Sequence, residues 1–360
     1  MSLGEGPAAV RGLLARVGQL QLDPIDRIGT NVDLVVHARI DGLCRGEVHA
    51  ALRGVSFEHF AKERCLLDAR FFAHYRGRAV ETPWWRNTER MRKLDEALLA
   101  DVLTEVAERG PSHAGGFTDR GKAEAMDWSG WKGTGSRTAL ALEVLWTRCL
   151  VVVSGRDARG RRLYDTPARA LGEHADAVAE GDFGEEMLVA RVCAAGLLAL
   201  ATGPTWSMLR ETRADGTIER LVEAGRLVRV AVGRRVYLCL PETGLVEDDG
   251  RVRILGPLDS VLWDRALVRE AFGFDYVWEV YKPEALRTWG YYVCPLLQDG
   301  RFVGRLEARR DAGVLRVERL WGGADPVRLG AALERLAVFN GCDAVVVADE
   351  AARGDLPLQA

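Results

Sequence analysis

Apolar residues recur at helical spacing at the start of the chain, at Val10, Leu13, Leu14 and Val17. They give way to a short extended piece, Leu20-Gln21-Leu22-Asp23. Helical spacing resumes from about Val32 to Leu52, and a β-like stretch runs from Val55 to Leu67. This order of helix, strand, helices and hairpin then returns in two clearer copies. In the first, Leu142-Glu143-Val144-Leu145-Trp146 leads to Val151-Val152-Val153, a basic turn from Gly155 to Arg162, then Leu163-Tyr164 and Pro167. In the second, Leu221 to Arg226 leads to Leu227-Val228-Arg229-Val230-Ala231-Val232, the turn Gly233-Arg234-Arg235, then Val236 to Leu240 and Pro241. A helix followed by a glycine-containing hairpin is how a winged helix-turn-helix ends.

Between the opening copy and the one near Leu142, a long helix is expected from Pro83 to Arg109, ended by Gly110-Pro111. After Gly244 the pattern changes to aromatic and apolar runs such as Phe274 to Tyr281 and Tyr291 to Cys294, which predict a sheet. A helix from Pro326 to Phe339 and a loose tail after Ala351 follow. The expected fold is mainly α with β-hairpins, an α+β chain of three tandem winged-helix units and a C-terminal unit rich in sheet. The boundaries are placed at 1–80, 81–180, 181–245 and 246–360.

Composition adds bounds. A chain of 360 residues, 48% hydrophobic and 28% charged, has the make-up of a globular protein with two or three folding units. Neither a long uncharged apolar run nor a basic-then-apolar leader occurs in the sequence, so no membrane association and a cytoplasmic location are expected. The seven cysteines are scattered among apolar neighbours and read as buried thiols. The six histidines show no metal-ligand spacing, and G-x-S-x-G, P-loop and dinucleotide fingerprints are missing, so no cofactor or metal is expected. The net charge of −3 argues against a nucleic-acid partner, because phosphate neutralisation usually shows as a basic excess.

Four segments in order change that picture. They are Leu20-Gln21-Leu22-Asp23, Trp146 through Tyr164-Asp165-Thr166-Pro167, Gly256-Pro257-Leu258-Asp259-Ser260-Val261-Leu262-Trp263-Asp264-Arg265, and Phe272-Gly273-Phe274-Asp275-Tyr276 leading to Trp289-Gly290-Tyr291-Tyr292. Together they resemble the winged-helix DNA glycosylases of the AlkX (YcaQ-like) and AlkZ type, from about Leu13 to Trp321. Glutamine, an apolar residue, then aspartate is the AlkX form of the catalytic stretch. There are departures. The opening helix is short, and Lys62 and Asp68 stand where the family usually has histidine and proline.

The resemblance implies a monofunctional glycosylase acting on bulky N7-alkylated or cross-linked purines in double-stranded DNA, as a monomer. Gln21 and Asp23 would be its catalytic pair. An N7-alkylated guanine is already a cationic leaving group, so what remains is to stabilise an oxocarbenium-like sugar and deliver water. A carboxylate can do both, and Gln21 would orient the water or brace Asp23. In an extended segment Leu20 and Leu22 should anchor in the core while Gln21 and Asp23 project together. On the letters alone, Asp23 also reads as an N-cap of the next helix.

The basic turns, with Arg156, Arg159 and Arg161 in one and Arg234 and Arg235 in the other, read equally as wings gripping phosphate or as solvated hairpin tips. Lys132, Ser136 and Arg137 at a helix start could bind phosphate, although Ser136 would also serve as a plain cap. Lys282 and Arg287 fall in a hairpin, Val280 to Tyr291, resembling the family's minor-groove probe. Lys62 is the one candidate nucleophile for lyase chemistry, with a solvated strand lysine as its alternative. A non-catalytic winged-helix DNA-binding protein and a protein–protein adaptor are the competing functions.

Overall fold

The computed structural model describes residues 4–81, 94–124, 134–242 and 248–348. The chain is a mixed α/β structure whose contacts divide it into two compact units. One comprises Met1–Ala51, Phe60–Cys65 and Met187–Ala360, the other Leu52–His59 and Leu66–Glu186.

In the first unit, helix α1 (Gly6–Val17) buries Val10, Leu13 and Leu14 and stops at Gly18, whose φ of 72° lets its N–H reach Leu14 O. Strand β1 (Gln19–Gln21) follows directly. Helix α2 (Asn31–His37) starts at a capping box in which Thr30 and Asp33 exchange hydrogen bonds, and α3 (Glu47–Ala51) packs on α1. The chain then passes between the two units in the hairpin of β2 (Ser56–Phe60) and β3 (Arg64–Asp68), of which Phe60–Cys65 belongs to the first unit.

The second unit holds α4 (Phe72–Glu81), α5 (Glu96–Arg109), the short pair β4 (Lys122–Glu124) and β5 (Thr134–Ser136), and α6 (Arg137–Thr147). The hairpin β6 (Val152–Arg156) and β7 (Arg162–Asp165), then α7 (Pro167–Leu171), complete it. The helix expected from Pro83 to Arg109 starts instead at Glu96, where the extended Asp95 caps it, and ends at Gly110; residues 82–93 lie outside the described residues. Trp146, buried on α6, donates its indole N–H to Glu58 O at 2.7 Å and lies against His59. A bridge joins Ser112 to Tyr164 in β7.

Helix α8 (Phe183–Ala195) leads into β8 (Leu198–Ala199), α9 (Thr217–Glu223) and the hairpin β9 (Val228–Val232) and β10 (Arg235–Cys239), in sheet order β8-β10-β9. Thus three times the chain runs helix, extended piece, helix, hairpin. Each time the first extended piece pairs with the last strand.

The C-terminal sheet has the order β11 (Arg253–Ile254), β12 (Val293–Gln298), β13 (Arg301–Asp311), β14 (Val314–Gly322), β15 (Ala344–Val347), antiparallel until β15 joins β14 in parallel. A parallel return needs a crossover, and α11 (Pro326–Phe339) supplies it, burying Leu329, Ala332, Leu333 and Leu336. Between β11 and β12 lies α10 (Arg265–Phe272). The aromatic run Phe274 to Tyr281, expected as a strand, is irregular. Phe274 and Tyr276 join Leu262 and Val268 in a buried cluster, Phe274 stacks on Phe302 at 4.7 Å, and Tyr276 donates its hydroxyl to Val293 O.

All seven cysteines are free, and Cys44, expected to be buried, is exposed. No helix among the described residues is long and apolar enough to cross a membrane.

Candidate active site

The Gln21–Asp23 segment is pinned by groups remote in sequence. Leu22 N–H donates to Arg64 O at 2.8 Å. Asn31, in the first turn of α2, donates its Nδ2 to Gln21 O at 2.8 Å, and its Oδ1 accepts from Leu258 N–H at 3.1 Å. One buried amide therefore ties β1 to the loop from Gly256 to Arg265. The loop lies so close to α2 that a Cβ on Gly256 would sit 2.7 Å from Asn31 Oδ1, so the glycine there is a packing requirement. The loop is held further by buried Asp259, which accepts from Arg39 at 2.6 and 2.9 Å and caps Val261 N–H. Trp263 donates its indole N–H to Leu258 O at 3.1 Å.

The expected in-and-out alternation is not what forms. Gln21 is buried, as are Gln19 and Leu20, while Leu22 is half-buried. The segment is covered on both sides, and the Gln21 Oε1 accepts from Lys62 Nζ at 3.2 Å. Lys62 is itself buried, not solvated, in the turn between β2 and β3, and its ammonium stands 5.2 Å over the Trp263 ring.

Asp23 is half-buried, forms no ion pair among the described residues, and accepts Ile25 N–H at 2.9 Å. Burial pushes its carboxyl above the ordinary value, against the opposing pull of that N–H. It does not cap α2; Thr30 does. The Asp23 charge is felt by two phenols. Tyr292 is raised well above the ordinary value, chiefly by burial, then by Cys294 and Asp23; Tyr281 is raised by desolvation, then by the Asp23 and Glu63 carboxylates.

Tyr281 opens the segment expected as a hairpin. The segment forms no strand ladder, because two buried carboxylates take the N–H groups a ladder would use. Glu279 accepts from Trp289 and Gly290 and holds Lys282 Nζ at 2.7 Å; Glu307 accepts from Tyr291 and Tyr292. Only a short 3-10 turn, Glu284–Leu286, interrupts the loop. Arg287 turns inward, with its Nε on Lys282 O and its guanidinium over the Tyr291 ring at 4.9 Å. Of its large apolar side chains, the loop presents outward Tyr281, 84% exposed, and Leu286, 67% exposed.

The other basic candidates divide the same way. Arg156 pairs with buried Glu58, which also holds Arg162 at 3.3 Å, and Arg161 pairs with Asp157 at 2.7 Å. Arg159 and Arg234 are exposed and form no ion pair among the described residues; Arg235 lies 3.9 Å from Asp264. Ser136 caps α6 by accepting Ala139 N–H, and Arg137 is 3.8 Å from Asp95. Lys132 lies outside the described residues.

A cavity of about 180 Å³ is lined by Gln19, Gln21, Arg39, Leu258 and Trp263, and its wall does not include Asp23. No group of three or more histidine, cysteine or acidic side chains that could hold a metal occurs among the described residues. Sequence reasoning missed Asn31, Glu279 and Glu307. Only Glu279 carried a visible signal, an acidic residue set within the aromatic run Val277-Trp278-Glu279-Val280-Tyr281.

A family model described as DNA glycosylase AlkZ-like matches residues 14–339. Among solved structures the fold is similar to that of Streptomyces sahachiroi DNA glycosylase AlkZ. The TM-score is 0.54, with 94% of this chain and 93% of that one covered at 17% sequence identity.

Proposed function

This chain belongs to the AlkZ-like DNA glycosylase family, and from that we propose that it hydrolyses the N-glycosidic bond of bulky N7-alkylated or cross-linked purines in double-stranded DNA, with Gln21 and Asp23 as its catalytic pair. The observation that carries the reading is the pinned segment itself. A half-buried carboxylate without an ion-pair partner among the described residues stands two residues after a strand held by Asn31, Arg64 and Lys62. Fixed groups aimed at developing charge are what glycosyl transfer needs, because they do not have to reorganise during the reaction. Asp23 would stabilise the cationic sugar and accept a proton from the attacking water, and Gln21 would hold that water. The Gln-x-Asp form supports reading the chain with the AlkX branch.

The three helix–strand–helix–hairpin repeats read as winged helices, with Arg159 and Arg234 as the wing-tip cations left available for phosphate. Tyr281 and Leu286 read as apolar groups resting in the minor groove, on a loop made rigid by Glu279 and Glu307. A bulky or cross-linked base cannot swing into a deep pocket, and the reaction is read as taking place on the base in its stack. The cavity beside Gln21, whose wall omits Asp23, supports that reading.

The test uses duplexes carrying one N7-alkylguanine, one bulky N7-linked adduct or one interstrand cross-link, scored for abasic sites under single-turnover conditions. Asp23→Asn is expected to bind the duplex as the wild type does and to excise roughly tenfold to a hundredfold more slowly. Excision at the wild-type rate would place the chemistry elsewhere. Binding without release of any base by the unaltered protein would leave a DNA-binding protein only.

A further inference from the structure

The buried contact between Lys62 and Gln21 carries an inference that rests on the reading of Gln21 as part of the active site. Lys62 lies in the turn joining β2 to β3 and is 8% exposed, with no ion pair among the described residues. Its ammonium has the Gln21 Oε1 at 3.2 Å and the face of Trp263 at 5.2 Å. Both contacts are built from afar: the turn brings the lysine, β1 the amide, and the Asp259-braced loop the indole. Burial holds the lysine below its ordinary pKa; Arg191 and Arg265 act in the same direction, while Cys65 and Glu63 oppose it.

A side-chain amide can present either end to a reacting group, and the two ends do opposite things. An ammonium has only donors, so the end of Gln21 that faces Lys62 must be the oxygen. We propose that Lys62 is a positioning residue for the glycosylase reaction, turning Gln21 so that its Nε2–H₂ donor is the end left to meet the attacking water. The water oxygen then accepts from Gln21, and its proton is offered to Asp23. With the amide reversed, Oε1 would compete with Asp23 for that proton.

The test compares wild type, Lys62→Met, Gln21→Ala and the double variant by single-turnover excision and duplex affinity. Lys62→Met is expected to slow excision about tenfold at unchanged affinity, and to add less than about twofold in the Gln21→Ala background, since it acts through that amide. Effects that multiply in full in both backgrounds would overturn the assignment. So would a borohydride-trapped DNA complex formed by the wild type and not by Lys62→Met, which would make the buried amine a nucleophile. Gln21→Ala excising at the wild-type rate would instead remove Gln21 from the active site. If Lys62→Met does not fold, ¹⁵Nζ titration of the lysines decides the question. The Lys62 resonance should titrate below the exposed lysines and move on Gln21→Ala. A resonance that stays in place would refute the contact.

Discussion

Asn31 is 1% exposed and satisfies two backbone groups at once, the buried Gln21 O and the N–H of half-buried Leu258. Asn31→Ala leaves both without a partner while removing little apolar contact. A buried polar group stripped of its hydrogen bond costs about 1–3 kcal/mol. With some relaxation of the Gly256 loop, the expected loss is about 2–5 kcal/mol. For a unit of this size that lowers the melting temperature by roughly 5–15 °C. The substitution should also loosen β1 against the loop, so excision should fall even at temperatures where the variant is fully folded. Asn31→Asp separates the two bonds. It keeps an acceptor for Leu258 N–H and puts a buried carboxylate oxygen against Gln21 O. Its destabilisation should grow as pH rises and shrink in acid, where the protonated carboxyl can donate to Gln21 O again. Melting by circular dichroism across pH, alongside single-turnover excision, measures both effects. A melting point for Asn31→Ala within about 2 °C of wild type, or a lowered one with undiminished excision, would refute the view that this amide holds the segment in place.

Burial raises the Asp23 carboxyl above its ordinary 3.8, so the acid limb of the excision pH profile should lie above that value. A raised folded-state pKa means that ionised Asp23 costs stability above the unfolded value; Asp23→Asn should therefore melt higher at neutral pH and lose that advantage as pH falls through the ordinary carboxylate range. A variant that melts lower at neutral pH would contradict this. On the loop, Tyr281→Ala with Leu286→Ala should weaken duplex binding without changing its salt dependence. Lys282→Ala with Arg287→Ala should change the salt slope by well under the roughly 1.8 expected of two phosphate contacts, because Lys282 already rests on Glu279. A slope change near that full value would return both cations to the phosphate backbone.

Much of the architecture was legible in the order of residues, because local elements depend on neighbours. Helix α11 begins at Pro326 after the Asp325 cap and ends at Phe339, as its apolar spacing predicts. The hairpins at Gly155 to Arg162 and at Gly233-Arg234 lie where turn residues interrupt β-rich runs. The Gln-x-Asp motif was visible as letters, as was the segment from Gly256 to Arg265. What the letters did not contain was which of these groups would be covered. Gln21 is interior because α2 and the Gly256 loop are sewn over it by Asn31, ten residues away on one side and 227 on the other. The segment from Tyr281 to Tyr291 reads as a hairpin, yet forms none, because the Glu279 and Glu307 carboxylates claim four successive N–H groups. Arg156 and Lys282, which look free in the sequence, are spent on Glu58 and Glu279, while Lys62 is drawn inside to an amide and an indole. Periodicity and turn chemistry act over a few residues and survive in the sequence. Burial and the choice of partner for each charge are settled only when distant segments meet, since a buried polar group must be satisfied by whatever the fold places beside it.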